Sequence, residues 1–222
     1  MVPVICIDGP GGAGKGTIAK AVADHLGYHL LDSGAIYRVM ALAVIKQNIP
    51  TEDISALETC ALGLDVSFQS QADGLSIVIL DGEDVTTQVR LESTASKASE
   101  IASIPAVRAA LLHRQQDFAI PPGLVADGRD MGTIVFPDAP VKVFLTASAQ
   151  ERARRRQKQL QEQGKSVSIA RLLEAIEARD ARDSSRSVAP LQPAEDATTI
   201  DTTNLTIEEV VNQVLERVNQ TL

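Results

Sequence analysis

The sequence predicts an α/β fold, with a parallel sheet flanked by helices and a small antiparallel insert. Buried-strand patterns alternate with helical patterns along most of the chain, which is typical of a parallel sheet with crossover helices. Between residues 64 and 85 the pattern changes to short alternating strands, which predicts an antiparallel segment. The length of 222 residues is sufficient for one large domain with such an insert.

The first predicted strand runs into a glycine-rich loop and then into a helix. An apolar run at residues 4–7 ends at Asp8, the loop GPGGAGKGT follows, and a helical pattern begins near Ile18. Glycines let backbone N–H groups face a polyphosphate, and the helix start adds further N–H groups and its dipole. Lys15 supplies a charge for the β- and γ-phosphates, and the Thr17 hydroxyl can ligate Mg²⁺. The predicted ATP-binding residues here are Gly9, Pro10, Gly11, Gly12, Ala13, Gly14, Lys15, Gly16 and Thr17.

This loop departs from the general phosphate-loop motif at one position. The motif places Ser or Thr directly after the lysine, whereas here Gly16 separates Lys15 from Thr17. The arrangement G-x-G-K-G-T resembles the loop of nucleoside monophosphate kinases.

Composition and charge exclude several other classes of protein. The formal net charge of −8 argues against general attraction to nucleic acid or to anionic membranes, so any phosphate must be held by local Arg and Lys clusters. Cys6 and Cys60 form no metal or disulfide motif, which suits a reducing compartment. Met1 leads directly into the first strand without a signal sequence, and the sequence contains no apolar run that could span a membrane. We therefore expect a cytoplasmic protein.

The second strand, at residues 29–31, runs into the segment DSGAIYR. This places Ser33, Tyr37 and Arg38 in the first turns of a helix at the carboxyl end of a strand, where open α/β sheets bind ligands. A plain capping role for Asp32 or Ser33 is the alternative.

The antiparallel insert has a strong turn signal. Leu64, Val66 and Phe68 alternate with polar residues, Gly74 marks a turn, and Asp81-Gly82 predicts a two-residue hairpin before a short third strand that ends near Val85. Such an insert usually serves binding, and the alternative is scaffold decoration. Two helices follow, at residues 91–102 and 105–118, with Ser99 and Arg108 on either side of the break.

A third stretch, DGRDMGT, follows the apolar strand at residues 124–126. Asp127 ends the strand beside the phosphate loop, which suits direct or water-mediated contact with Mg²⁺. Arg129, in a turn, can form a two-pronged contact with phosphate. The alternative is a salt-bridged turn that joins Arg129 to Asp127 or Asp130.

Two arginine-rich helices follow the strand at residues 141–145 and are separated at Gly164. The first contains Arg152, Arg154, Arg155 and Arg156. The second begins near Ser168 and has Ile169, Leu172, Leu173 and Ile176 on its expected buried face, followed by Arg179, Arg182 and Arg186, which are spaced three and four apart on one side. In an acidic chain this concentration of arginine predicts a lid that closes on phosphate. Solvated helix faces paired with nearby acids are the alternative.

The chain ends with a short strand at residues 198–201 and a helix opened by a capping box at Thr206 and Glu209. We expect this helix to pack against the sheet. The three histidines show no ligand spacing, and we interpret them as structural.

Four stretches in order, GPGGAGKGT, LLDSGAIYR, VADGRDMGT and ARDARDSSR, resemble bacterial cytidylate kinases over essentially the whole chain. The resemblance implies a P-loop type five-stranded parallel core, a monophosphate-binding insert and a short helical lid. It implies one kinase domain, with a core at about 1–62, 119–150 and 188–222, an insert at about 63–118 and a lid region at about 151–187. It also implies ATP with Mg²⁺ as phosphoryl donor, CMP and dCMP as acceptors, and a monomer by default.

The resemblance also implies roles for individual residues. Cytosine would be bound by Ser99, Arg108 and Asp130, and the acceptor phosphate by Arg38, Arg129 and Arg186. Tyr37, Arg179 and Asp183 would lie near the sugar, with Ser33 and Asp127 also close to the acceptor. Lys15, Arg129 and Arg186 would be catalytic, Arg155 would contact ATP, and Thr17 and Asp127 would serve Mg²⁺.

Two other functions share part of this pattern. A small-metabolite kinase of the shikimate or gluconate type has a similar loop and size but needs neither the hairpin insert nor DSGAIYR. A non-catalytic nucleotide-dependent switch would need regulatory segments or a guanine-reading motif such as N-K-x-D, and the sequence has neither.

Overall fold

The computed structural model of the protein describes residues 2–70, 76–162 and 164–222. The strands are β1 (Val4–Asp8), β2 (His29–Asp32), β3 (Val66–Ser70), β4 (Ser76–Leu80), β5 (Glu83–Asp84), β6 (Leu124–Gly128), β7 (Val141–Thr146) and β8 (Thr198–Asp201). The α-helices are α1 (Lys15–Leu26), α2 (Ser33–Lys46), α3 (Ile54–Leu62), α4 (Glu92–Ile101), α5 (Pro105–Gln116), α6 (Ala149–Glu162), α7 (Ile169–Ser184) and α8 (Ile207–Thr221). A 3₁₀ turn at Gln88–Arg90 and a π-helical turn at Met131–Val135 complete the set.

The elements form two compact units. The first comprises Met1–Asp32 and Gln116–Leu222, and the second comprises Ser33–Gln115. The division into core, insert and lid made from the sequence stays a prediction.

The first unit is built on a five-stranded parallel sheet in the order β2-β6-β1-β7-β8. This confirms the predicted sheet. The central strand β1 places Asp8 opposite Gly128 of β6 and Phe144 of β7. The loops that follow β1 and β6 therefore leave the same edge of the sheet, which is where open α/β sheets bind ligands.

The core of the first unit lies between the sheet and its helices. Ile5, Ile7 and Val125 of the strands are fully buried. They share a cluster with residues of α1 and with Val210 and Val214 of α8, as expected from the apolar period of these helices. The predicted capping box at Thr206 and Glu209 is present, and α8 packs on the core as predicted.

The second unit joins α2 to α5 with the antiparallel sheet β3-β4-β5. Asp81 and Gly82 have positive φ values of 51° and 79° and connect β4 directly to β5, which confirms the two-residue hairpin. The third strand is shorter than expected, ending at Asp84, while the Val85 N–H still donates to the Val78 carbonyl. The turn predicted at Gly74 lies outside the described residues.

The prediction that α7 has a buried apolar face is wrong in part. Ile169 is 46% exposed, and Leu172, Leu173 and Ile176 are only half-buried. The reason is that α7 packs against α6, whose own surface is rich in charged residues, so the apolar stripe is only partly covered.

Across the described residues, every helix is too short or too polar to cross a membrane.

Candidate active site

The glycine-rich loop after β1 wraps closely against the sheet. Gly9 has a φ of 148°, and a Cβ added there would lie 2.0 Å from the Leu145 carbonyl oxygen, so no side chain fits. Gly12 and Gly14 also have positive φ values, and α1 begins directly afterwards at Lys15. The predicted sequence of strand, glycine-rich loop and helix start is therefore present, with the free N–H groups of the helix start available for an anion.

A carbonyl group of the glycine-rich loop holds the side chain of Lys15 against that loop. Its Nζ donates to the Pro10 carbonyl at 3.0 Å and lies 3.9 Å from Oδ1 of Asp127. Burial lowers the pKa of Lys15, and the charge of Asp127 acts in the opposite direction. The ammonium group of Lys15 thus lies beside the loop, and the carboxylate of Asp127 lies next to that ammonium group.

Asp127 faces the start of α1. A Cβ added at Gly16 would lie 3.4 Å from Oδ2 of Asp127, and Thr17, the next residue, is exposed. Hydroxyl and carboxylate oxygens are donors that Mg²⁺ accepts, so these residues fit the cation. No group of three or more His, Cys, Asp or Glu residues able to hold a metal occurs in the described ranges. Mg²⁺ commonly takes several of its ligands from phosphate and water.

Three arginines surround one carboxylate. Asp183 is fully buried, accepts a hydrogen bond from Nε of Arg129 at 2.5 Å and another from Nη2 of Arg186, and lies 4.0 Å from Nε of Arg179. Burial on its own would raise the pKa of Asp183, but the three guanidinium charges outweigh it and lower that pKa. The partner of Arg129 is thus Asp183 of α7, not a neighbouring acid in its own turn.

This arginine cluster lies beside the phosphate loop. A Cβ added at Gly11 would lie 3.5 Å from Nη1 of Arg179 and 3.7 Å from Nη2 of Arg129. Residues from three separate sequence stretches therefore meet at one place. Three positive groups around one carboxylate leave the cluster with a net positive charge, which favours a bound phosphate.

The arginines of α6 divide into two groups. Arg152 is buried, pairs with both carboxylate oxygens of Asp180 in α7, and donates to the Gly11 carbonyl at 3.1 Å. Arg155 donates to the carbonyls of Ala13 and Thr202. Arg154 is exposed and pairs with Glu151. Contact with the phosphate loop is therefore made by Arg152 and Arg155.

On α7, Arg182 does not join Arg179 and Arg186 at Asp183. Its side chain is exposed and donates to the Ala178 carbonyl in its own helix. The expectation that the three arginines share one side holds only for the outer two.

The second unit contains the remaining candidates. The guanidinium carbon of Arg108 lies 5.7 Å from the centre of the Tyr37 ring, and its Nη1 donates to the Ala102 carbonyl. Ser99 is buried in α4. Ser33 donates its hydroxyl hydrogen to Gln115 at 2.7 Å, and the Gln115 amide donates to the Leu111 carbonyl. Arg38 is half-buried on α2.

Sequence reasoning missed two participants. Gln115 gave no signal, because a glutamine near a helix end, here followed by a second one at Gln116, has many possible roles. Asp8 did give one, since it ends the buried strand β1 directly before the loop, and Asp127 lies at the corresponding end of β6 as its next-to-last residue. Its carboxylate accepts hydrogen bonds from the backbone N–H groups of Met131 and Gly132, both at 2.8 Å. Burial raises the pKa of Asp8 to about 7, although these two hydrogen bonds oppose the rise.

Comparison with known proteins finds related sequences over nearly the whole chain. The family model for cytidylate kinase matches residues 5–220. The cytidylate kinase of Shewanella frigidimarina (strain NCIMB 400) is 57% identical over 220 residues, covering 98% of this chain and 96% of that protein. The cytidylate kinase of Klebsiella pneumoniae (strain 342) is 56% identical over 221 residues, covering 100% of this chain and 97% of that protein.

One of the solved structures that match the chain does so far less closely. A gluconokinase from Sinorhizobium meliloti 1021 covers 98% of this chain and 92% of its own length with a TM-score of 0.47 at 16% identity, which supports no functional argument. The sequence relatives are decisive, and they confirm the resemblance seen in the motifs: this chain belongs to the cytidylate kinase family.

Proposed function

We propose that this chain transfers the γ-phosphoryl group of ATP to CMP and dCMP, giving CDP and dCDP. Membership of the cytidylate kinase family supports a nucleotide acceptor over a sugar acid, shikimate or a switch function. The structural observation that carries the proposal is the meeting of the arginine cluster with the phosphate loop. Phosphoryl transfer needs this concentration of positive charge, since two anions must be brought together.

On the donor side, the loop and the start of α1 would bind the ATP phosphates. Lys15 would exchange its contact with the Pro10 carbonyl for the β- and γ-phosphates. Thr17, and Asp127 through water, would hold Mg²⁺, which when bound neutralises phosphate charge. Arg155, close to the Ala13 carbonyl, is proposed to contact ATP.

On the acceptor side, we infer that Arg129 and Arg186 bind the monophosphate, because both already bind the carboxylate of Asp183 through charge-assisted hydrogen bonds. Family resemblance adds Arg38 to this group. It assigns Tyr37, Arg179 and Asp183 to the sugar and Ser99, Arg108 and Asp130 to the base, with Ser33 close to the acceptor.

The reaction needs no strong general base. An oxygen of the acceptor monophosphate forms a bond to the γ-phosphorus while the bond from that phosphorus to the β–γ bridging oxygen breaks, and ADP leaves. The attacking oxygen is already anionic, so catalysis consists of in-line positioning and charge neutralisation. This explains why the site gathers Lys and Arg side chains around the loop.

Closure of α6 and α7 over the nucleotides would exclude water and protect ATP from hydrolysis. This lid function, a monomeric state and a cytoplasmic location are the remaining parts of the proposal.

A coupled assay of ADP formation tests the proposed function. Purified protein with ATP and Mg²⁺ is given CMP, dCMP, UMP, AMP, shikimate or gluconate in turn. We expect CMP and dCMP to be the preferred acceptors. Preferred turnover of shikimate or gluconate, or no transfer to any acceptor, would contradict the proposal.

A further inference from the structure

Asp8 lies between the phosphate loop, which would bind ATP, and the segment at Arg129 and Asp130, which would bind CMP. It is the last residue of β1 and directly precedes the phosphate loop. In the sheet it lies opposite Gly128, which is followed by Arg129 and Asp130. Its side chain is buried, with only 6% of the residue exposed.

The carboxylate of Asp8 caps a turn that is distant in the sequence. The π-helical turn at Met131–Val135 leaves its first N–H groups without partners inside the turn, as all helix starts do. Asp8 Oδ1 accepts from the N–H of Met131 and Oδ2 accepts from the N–H of Gly132, each at 2.8 Å. A side-chain cap is normally local, whereas this one acts across more than 120 residues.

The packing around this turn leaves little room for it to move. A Cβ added at Gly132 would lie 3.1 Å from Cδ of Lys142 and 3.4 Å from Oδ2 of Asp8. Both carboxylate oxygens of Asp8 accept hydrogen bonds from backbone N–H groups, and the side chain is buried. Asp8 is therefore suited to fixing the backbone of the turn rather than to contacting a substrate.

We propose that Asp8 is a positioning residue that fixes Arg129 and Asp130 relative to the phosphate loop. This inference rests on the proposed function, in which Arg129 binds the acceptor phosphate and Asp130 the base. Both residues directly precede the N–H groups that Asp8 holds. A rotation of the turn would therefore move the acceptor-binding side chains while leaving the phosphate loop, on the other side of Asp8, in place.

The variant Asp8→Asn tests this role with almost no change in volume. The amide oxygen can still accept one N–H, but the amide nitrogen would face the other N–H, donor against donor. Misplacement on the order of 1 Å can reduce transfer by about 100-fold. We expect KM for CMP to rise at least about tenfold and the preference for CMP over UMP to fall at least about fivefold, with KM for ATP changed less than about twofold.

A merely structural role gives a different result. Loss of folded protein would lower kcat for every substrate equally and leave KM and the CMP-to-UMP preference unchanged. The matched control is Asp53→Asn, because Asp53 also accepts a backbone N–H at a helix start, in α3, which carries no candidate site residue. That variant should keep wild-type KM values and preference.

A second measurement uses the wild-type protein and covers the case in which Asp8→Asn does not fold. Amide hydrogen exchange should show Met131 and Gly132 protected, because both N–H groups are bonded and buried. Rapid exchange at both would overturn the proposal, as would a folded Asp8→Asn protein with unchanged KM for CMP and unchanged preference. Failure of the proposed function is distinguishable, since it would appear as absence of CMP phosphorylation by the wild type.

Discussion

Single residues of the first unit show how buried charges are kept close to the loop. Lys15 and Asp127 are within 3.9 Å of each other, and Asp183 is surrounded by arginines. Each charged group has a partner, which offsets the cost of removing it from water. A substrate phosphate would therefore compete with protein oxygens that these groups already contact.

Lys15→Ala should reduce phosphoryl transfer by about 10³-fold or more, because it removes the charge that neutralises the transferring group. The assay is ADP formation at saturating CMP and ATP, with circular dichroism to verify folding. Lys20→Ala is a matched control in the same helix, since the Lys20 side chain is 43% exposed and pairs with Asp24 in its own helix. A folded Lys15→Ala protein with near-normal turnover would contradict the assigned role.

Asp130→Asn should lower the CMP-to-UMP ratio of kcat/KM by about tenfold or more. A carboxylate accepts from the cytosine amine but opposes the uracil O4, whereas an amide can turn its NH₂ group toward O4. Both substrates are measured on wild type and variant. Asp138→Asn, exposed just beyond the same turn, is the control. An unchanged ratio would show that Asp130 does not bind the base, and that the DGRDMGT segment binds only phosphate and metal.

At the scale of elements, an ion pair with two parallel hydrogen bonds joins α6 to α7. Arg152 of α6 contacts both oxygens of Asp180 in α7 and also reaches the phosphate loop at Gly11. The two arginine-rich helices are thus linked to each other and to the loop by a side chain that is nearly fully buried. Arg152 therefore contributes to the packing of the first unit, whereas Arg154 is exposed.

Asp180→Ala should destabilise the protein by about 1–3 kcal/mol, because it leaves the buried Arg152 without its carboxylate. Adding Arg152→Met should restore part of that loss, since an apolar side chain needs no partner. Urea unfolding of the two single variants and the double variant measures the coupling. Strictly additive effects would show that the two side chains do not stabilise each other.

Much of the fold was predictable because it depends on local pattern. The Asp81-Gly82 turn, the strand–loop–helix around Lys15 and the capping box at Thr206 are each encoded within a few residues. The exposure of Ile169 was not predictable, because periodicity shows that a helix has an apolar face but not what covers it.

The candidate site was predictable in part. The motifs identified Arg129 and Arg186 as phosphate ligands and Arg179 as a residue near the sugar, and the structure brings the three together at Asp183. The pairing of Asp8 with the turn at residues 131–132 could not be predicted, because it joins positions far apart in sequence through backbone groups that carry no side-chain signal.

For the whole molecule, Asp8 makes stability depend on pH. Its pKa is about 7 in the folded protein against 3.8 as its ordinary value, so between about pH 4 and 7 the folded state binds a proton that the unfolded state has released. Stability should therefore fall as pH rises through this window, by an amount on the order of 1–4 kcal/mol. Urea unfolding at pH 5 and pH 8 measures the change.

The same comparison on Asp8→Asn should show a smaller difference between pH 5 and pH 8, because the titrating group is gone. An identical pH dependence in both proteins would mean that another group is responsible. Asp183 contributes to stability in a different pH range. Because its pKa is lowered in the folded protein, it stabilises the fold at pH values above its ordinary pKa. This contribution is lost as the pH falls through the pKa that Asp183 has in the folded protein.

Asp183 has a consequence for the thermodynamics of binding. It serves as an internal counter-ion that restrains Arg129 and Arg186 before any ligand arrives. Immobilising a long side chain during association costs about 0.5–1.5 kcal/mol, and here that loss of rotational freedom is incurred when the chain folds. An incoming phosphate meets guanidinium groups that are already ordered, so less conformational entropy opposes its capture.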